Sequence, residues 1–305
     1  MWKLALHSVS YAGVWAGQAS LSLEGFIDHA AELGYEGVML MAKRGHASLL
    51  DLPEDRRARL REQMQSRGLE LAGIAAYTDF TIGPDRPDIP LVEMQILYVQ
   101  ECARLAHDLG GRIVRIFTGF ERSELTPAQS WSRCVQAVKE CARRAADHDV
   151  TLAVQNHHDV AVHHDALFDF LTEVDEPNAK AGYDAWAPAL QGLAGGKLAE
   201  GVRRLAPFIV QTIVADYVRR PRFRYVPSLT SYAAEQEQVQ AVPVGEGIVD
   251  YASFFAALRE VGFFGFITYE MCSPLKGGGS MENLDRSARR FTRWMDQFRP
   301  AQKDL

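Results

Sequence analysis

TLAVQNHHD, Thr151 to Asp159, is an apolar run that ends abruptly in side chains able to form hydrogen bonds, bind metal or move protons. It closes a unit that opens with RIVRIF at Arg112–Phe117, passes through a helical stretch from Pro127 to Asp147, and returns to a strand over Thr151–Asn156. Two short apolar strands joined by one long helix predict a parallel pair with a crossover connection. Thr126 is placed to cap that helix, and Pro127 suits its first turn.

The same alternation runs outward in both directions. Leu4–Ser10 reads as a first strand, followed by a helix over Leu23–Leu33 with Ser22 at its start and Gly34 at its end. Gly37–Met41 and Glu70–Tyr77 are the second and third strands, each followed by a helix, Glu54–Arg67 and Leu91–Leu109. Beyond strand five come a helix at Ala166–Val174, strand six at Ala179–Asp184, a helix at Lys197–Leu205 and strand seven at Ile209–Asp216. Tyr251–Val261, Phe264–Glu270 and Met281–Phe298 supply helix seven, strand eight and the last helix. Eight strand–helix units in 305 residues predict an α/β fold, a (β/α)₈ TIM barrel filling one domain over 1–305. A doubly wound open sheet fits less well, because the first strand-to-helix turn has no GxGxxG. Residues 217–247 break the pattern and are expected to form a long irregular insert.

Composition narrows the function. At 47% hydrophobic and 24% charged residues the chain is globular, and a formal net charge of -6 argues against nucleic acid as a partner. No run approaches the ~18 apolar residues of a membrane span. His7, Ser8 and Ser10 interrupt the first apolar stretch, which reads as a strand and not as a secretory leader. Cys102, Cys134, Cys141 and Cys272 show no CxxC spacing, and a cytoplasmic protein with reduced thiols is expected.

A barrel of this kind places its chemistry at the C-terminal ends of the strands, and the polar residues cluster there. His7 stands near the end of strand one, Arg115 on strand four, Gln155 and His157 at the end of five, Asp184 at six, Asp216 at seven and Glu270 at eight. Strand parity puts Gln155, His157 and Asp159 on one face and Asn156 and His158 on the other, with Gln211 deeper on the face of Ile213. His157, whose ordinary pKa is near neutrality, is the expected base and Glu270 the second proton-transfer group. A structural histidine is the alternative for His157. His7, Arg115, His158 and Asp216 are expected substrate contacts. In the insert, Arg219, Arg220, Arg222 and Arg224 alternate with Tyr217, Phe223 and Tyr225. That pattern fits a lid over a polyol or phosphorylated sugar, with Arg222 touching the substrate; a solvated loop or a contact within a homo-oligomer is the other reading.

LGYEG at Leu33–Gly37 and VPVGEGIVDYASFFAALREVGFFGFITYE at Val242–Glu270 resemble segments of the xylose isomerase-like TIM barrels. These are the sugar phosphate isomerases and epimerases, a group that includes ketose 3-epimerases and inosose dehydratases. The resemblance spans Leu4 to Met295. It implies a divalent cation, Mn²⁺ with Mg²⁺ or Co²⁺ as alternatives, held by a Glu, an Asp, a His and a Glu on strands five to eight. Asp184 and Glu270 match. Gln155 replaces the first Glu, and Ile213 the His, leaving Gln211 as the nearest donor; Met39, Trp186 and Pro188 also depart from the pattern. The implied metal set is Gln155, Asp184, Gln211 and Glu270, with a formal charge of only -2. The implied activity is a sugar isomerase or epimerase that abstracts a proton next to the carbonyl of a keto sugar or polyol with metal assistance. Because an amide at Gln155 cannot act as a base, a lyase or dehydratase on a 3-keto sugar or inosose-type substrate is the first alternative. A metal-free sugar-binding barrel is the second.

Overall fold

Aliphatic residues dominate eight short strands, β1 (Lys3–His7), β2 (Gly37–Met41), β3 (Glu70–Ala75), β4 (Ile113–Ile116), β5 (Thr151–Gln155), β6 (Ala179–Gly182), β7 (Ile209–Val214) and β10 (Phe266–Tyr269). All pair in parallel, and they close in the order β1-β10-β7-β6-β5-β4-β3-β2. The computed structural model describes residues 2–272 and 274–299; Met1, Ser273 and 300–305 of the expected domain lie outside the described residues. Nine α-helices are described. Around the barrel run α1 (Leu23–Glu32), α2 (Glu54–Ser66), α3 (Leu91–Asp108), α4 (Pro127–Ala146) and α5 (His164–Val174). They are followed by α6 (Trp186–Leu190), α7 (Gly196–Leu205), α8 (Tyr251–Glu260) and α9 (Met281–Met295). None of them is long and apolar enough to cross a membrane.

The (β/α)₈ barrel expected from the sequence is therefore observed. Ser22 accepts the amide of Gly25 at 3.0 Å, and Thr126 with Gln129 forms a capping box behind Pro127, as their positions predict. Leu4, Leu6, Val38, Leu40, Val114, Ile116, Leu152 and Val154 point outward and join the inner faces of the helices in one apolar layer. Strands buried on both sides read as continuous apolar runs for this reason.

Inside the barrel the residues are smaller or polar. Arg115 pairs in register with Ala75 on one side and Ala153 on the other, so two methyl groups leave space for a guanidinium. Gly182 lies in register with both Gln155 and Gln211. A Cβ at Gly73 would stand 3.1 Å from Gln211 Nε2, so the bare backbone there admits that amide. Met39, Ala75 and Ile213, with Tyr77 against them, form a small apolar plug.

Residues 217–247 correct an expectation. They are not irregular: β8 (Asp216–Val226) and β9 (Ser231–Val242) form an antiparallel ribbon, turned by Pro227–Leu229 and by Thr230 at φ 46°. Tyr225 faces Tyr232 across the ribbon, with ring centres 5.3 Å apart, and such aromatic pairs favour a ladder. Pro221, which has no N–H to donate, sits at the bulge between Arg220 and Arg222. Arg224 pairs across the ribbon with Glu235 at 2.9 Å and Arg219 with Glu237 at 3.4 Å. The outer part of the ribbon is exposed, Arg222 included. Strand seven accordingly ends at Val214, and Asp216 opens the ribbon.

Asp216 holds that junction together. Its carboxylate accepts the amides of Tyr217, Gly245 and Gly247, each at 2.9 Å, and of Val249 at 3.3 Å. A Cβ on Gly247 would fall 1.9 Å from Asp216 Oδ1, so VGEG reads physically as a cradle for this carboxylate. Either Gly247→Ala or Asp216→Ala is expected to lower unfolding stability by about 3 kcal/mol, measured by urea denaturation. A loss within the ordinary surface range of about 0.5 kcal/mol would show that the cradle does not hold the fold.

Candidate active site

A cavity of about 250 Å³ opens at the C-terminal end of the barrel, below the roughly 300–1,000 Å³ of drug-sized sites, which restricts it to a small molecule. Lys43, Arg115, Gln155, His157, His158 and Glu270 supply its polar lining, and Trp15, Tyr77, Phe117 and Trp186 supply aromatic walls. A larger recess of about 420 Å³ at the opposite end, around Leu71 and Ile113, is lined by Arg61, Glu70 and Arg112 but by no His, Cys or Asp. The smaller cavity, at the end where barrel chemistry is found, is the candidate.

Arg115 is its central charge, and only 2% of the residue is exposed. Nη1 donates to the carbonyl of Ala76 at 2.9 Å, while Nε is buried without a partner. The guanidinium lies 4.1 Å from the Phe117 ring centre and 5.0 Å from that of Tyr77. Lys43 Nζ stands 4.0 Å from the centre of the same Tyr77 ring. Neither cation has a carboxylate within 4.0 Å among the described residues.

His7 is fully buried, and its Nδ1 accepts the amide of Val9 at 3.1 Å. Desolvation first, then the charge of Arg115, holds its pKa well below the usual value. A neutral imidazole that accepts at Nδ1 carries its proton on Nε2, and Nε2 lies 3.9 Å from Glu270 Oε2. The Glu270 side chain keeps 19% exposure toward the cavity, and burial raises its pKa, against the opposing pull of Arg115 and Lys43.

His157 has an exposed edge at the cavity mouth, with Phe117, His158 and Trp186 around it at ring-centre distances of 4.8, 5.1 and 5.1 Å. Desolvation by these neighbours, then Arg115, pushes its pKa down to about 4. His158 is stacked between Phe117 and Phe120 at 4.2 and 4.0 Å, and desolvation followed by the nearby His157 pushes it down to about 3. Both imidazoles are neutral at pH 7. Parity separated these two residues, yet both reach the cavity, because β5 ends at Gln155 and a turn carries the chain onward. Asp159 leaves the cavity and accepts the amide of Glu121 at 2.8 Å. Asn156 points outward, where it exchanges hydrogen bonds with the backbone of Asp184 at 2.8 and 3.0 Å.

Of the four expected metal ligands, Gln155 and Glu270 line the cavity, while Asp184 and Gln211 lie outside its lining. Asp184 is 1% exposed, and both its oxygens are engaged, Oδ1 by the amide of Ile213 at 2.6 Å and Oδ2 by Gln155 Nε2. Burial raises its pKa to about 7. Gln211 lies deeper, with Nε2 3.7 Å from Met39 Sδ. The carbonyl oxygens of Gln155 and Gln211 are buried without partners, and they are acceptors suited to water or a substrate hydroxyl. Asp184 and Glu270 contribute two negative charges, Arg115 and Lys43 two positive ones, so the surroundings are neutral before any ion is added. Two carboxyls and two neutral amides hold a hard divalent cation less strongly than the usual acidic set. Among the described residues, the one set of three or more His, Cys, Asp or Glu with converging donor atoms is His163, His164 and Asp165. It stands at the start of α5, outside the cavity, with Arg204 only 3.6 Å from Asp165.

Of the other expected contacts, Arg115, His157 and His158 line the cavity, while His7 lies just behind Glu270. Asp216 and Arg222 are not brought there: the first is consumed by the VGEG amides, and the second sits on the exposed ribbon. Lys43, Tyr77, Trp15 and Cys272 line the site without having been expected. Lys43 and Tyr77 each fall two residues past a barrel strand, and that offset from the strand ends is the signal in the sequence that marks them.

Residues 27–297 match the family profile described as xylose isomerase-like TIM barrel. Over 251 residues the chain is 24% identical to the 3-dehydroshikimate dehydratase of Bacillus anthracis, covering 80% of this chain and 84% of that protein. Solved structures with the same fold include a D-psicose 3-epimerase from Clostridium cellulolyticum H10, with TM-score 0.74, 14% identity and coverage of 97% and 99% of the two chains. A xylose isomerase domain protein from Planctomyces limnophilus aligns with TM-score 0.71, 15% identity and coverage of 98% and 97%.

Two outcomes are expected from this geometry. Any Mn²⁺ retained after dialysis follows the cluster on α5: it is lost in His163→Ala/His164→Ala and unchanged in Asp184→Asn/Glu270→Gln, as read by plasma mass spectrometry. The opposite pattern would place an ion in the barrel. Asp184 releases its proton near 3.8 when unfolded but only near 7 in the fold, so its contribution to stability is complete below the unfolded value and is lost as pH rises through about 7. Asp184→Asn, which cannot ionise, should show a shallower fall in unfolding free energy between about pH 4 and 7 than the natural chain; equal slopes would contradict the raised pKa.

Proposed function

The chain belongs to the xylose isomerase-like TIM barrel family, and from that premise we propose that its cavity removes a proton next to the carbonyl of a small polyhydroxylated keto compound and expels the β-hydroxyl as water. The observation that carries this reading is one carboxyl at the cavity wall, Glu270, facing an amide, Gln155, where a second proton-transfer group would stand. Inverting a carbon requires proton delivery to the face opposite the base, and an amide cannot supply it. Elimination requires only one such group.

In this reading Glu270 takes the α-proton, the C–H electron pair becomes the carbon–carbon double bond, and the β C–O bond breaks. The proton then passes from Glu270 to the departing hydroxyl, so water leaves and the carboxylate is restored without any change of oxidation state. Burial raises the proton affinity of Glu270 toward the working pH of a general base. His157, held to about 4, is a weak acceptor and acts as a neutral N–H donor to the developing enolate oxygen. Arg115 lends positive charge to the same region, and the Gln155 carbonyl accepts a substrate hydroxyl. No step is assigned to a divalent ion. The 24% identity to a dehydratase supports the elimination reading. The same first step also serves an isomerase or epimerase; His157, on the same cavity, is the residue that would then carry the second proton.

The test uses a panel of β-hydroxy ketones in deuterated solvent, followed by enone absorbance and proton NMR. The expected result is loss of water with an acid limb of kcat/KM above the ordinary range of a Glu carboxyl. Glu270→Gln should reduce kcat/KM by about 10²–10⁴-fold, and His157→Asn by less. An epimer carrying solvent deuterium at the inverted carbon would overturn elimination in favour of epimerisation.

A further inference from the structure

The charges that face the cavity are Lys43, Arg115 and Glu270, which sum to +1. The two cations sit on a shared aromatic shelf, 4.0 and 5.0 Å from the centre of the Tyr77 ring. No side chain of the described chain neutralises them within ion-pair distance. Arg115 is almost wholly buried, with a nitrogen that finds no partner. A buried, unpaired guanidinium is costly, and native structures retain one where a ligand completes it. Mutual repulsion adds to that cost, since the Lys43 pKa is depressed first by desolvation and then by the charge of Arg115.

From this we infer that the substrate carries a carboxylate, which binds between Arg115 and Lys43 on the Tyr77 shelf while the rest of the molecule faces Glu270. The inference deepens the proposed function by naming the substrate class, a polyhydroxylated keto acid, and it rests on that reading for the keto group alone. A guanidinium fork matches a planar carboxylate, and an ammonium group supplies a second point charge. A monoanion neutralises a net charge of +1, whereas a phosphate dianion overshoots it. The aromatic walls suit the ring or carbon chain that bears the acid.

The test compares D-glucuronate, D-glucose and D-glucose 6-phosphate, which differ only at one carbon, by titration calorimetry on the full chain. Binding is measured on Glu270→Gln as well as the natural protein, so that it is read without turnover. D-Glucuronate should bind at least about tenfold more tightly than D-glucose, with affinity falling as salt rises, and it should bind Glu270→Gln no less tightly. The preference should disappear in Lys43→Gln, an exposed position that leaves folding intact, and in Arg115→Met, checked by circular dichroism. Equal affinities for D-glucuronate and D-glucose, or no binding of D-glucuronate, would overturn the proposal. Stronger binding of D-glucose 6-phosphate would overturn it in favour of a phosphate site, and a preference that survives both substitutions would move the anion elsewhere. Loss of elimination activity with the D-glucuronate preference intact would leave this site standing and remove only the reaction.

Discussion

Four backbone pairings between β1 and β10, from Lys3 with Phe266 to Leu6 with Tyr269, close the barrel, and the cavity exists because they do. They join the two ends of a chain whose first and last strands are more than 250 residues apart, and they set His7 beside Glu270 at 3.9 Å. A parallel strand can be reached only through a crossover, so every return passes over the outside and leaves all the strand ends of one polarity on a single rim. Closure also removes sheet edges. The interior then has a fixed width, and a long side chain such as Arg115 fits only where its neighbours in register, Ala75 and Ala153, are small.

Electrostatics inside that width decide the chemistry. One buried guanidinium lowers the proton affinity of His7 and His157 and opposes the rise produced by burial at Glu270 and Asp184. Desolvation is the largest cause at each of these groups, and it acts with opposite sign on imidazoles and carboxyls. The result separates them: the histidines stay neutral at pH 7 and Glu270 holds its proton more tightly than a free carboxyl. In the proposed elimination this inverts the order expected from unperturbed pKa values, in which His157 ranked first. Amides at Gln155 and Gln211 and apolar groups at Ile213 and Met39 complete the change, since they occupy positions where the family resemblance implies metal ligands or acids.

The ribbon formed by β8 and β9 shows how a local pattern can mislead. Four arginines among aromatics and a proline suggest an irregular lid, yet Pro221 falls at a bulge and Arg219, Arg220 and Arg224 find partners across the ladder in Glu237, Gln240 and Glu235. Those partners lie 18, 20 and 11 positions away in sequence, beyond any local window. Asp216 is a similar case. Its place at the end of strand seven suggested a substrate contact, but Gly245 and Gly247, far along the chain, turn their amides onto it.

The amino-acid sequence by itself determined the eight strand–helix units, the caps at Ser22 and Thr126, and therefore the barrel and the end of it that carries the site. These features rest on periodicity and on contacts within a few residues, which a linear reading captures. Strand parity also placed Gln155 and Asn156 on opposite faces, because it holds for as long as a strand lasts. Tertiary structure alone decided what lies past the strand ends, where turns bring His157 and His158 together and carry Lys43 and Tyr77 to the same wall. It likewise decided the charge on each group. Proton affinity depends on burial and on the distance to Arg115, and both are properties of a closed barrel and not of neighbours in sequence.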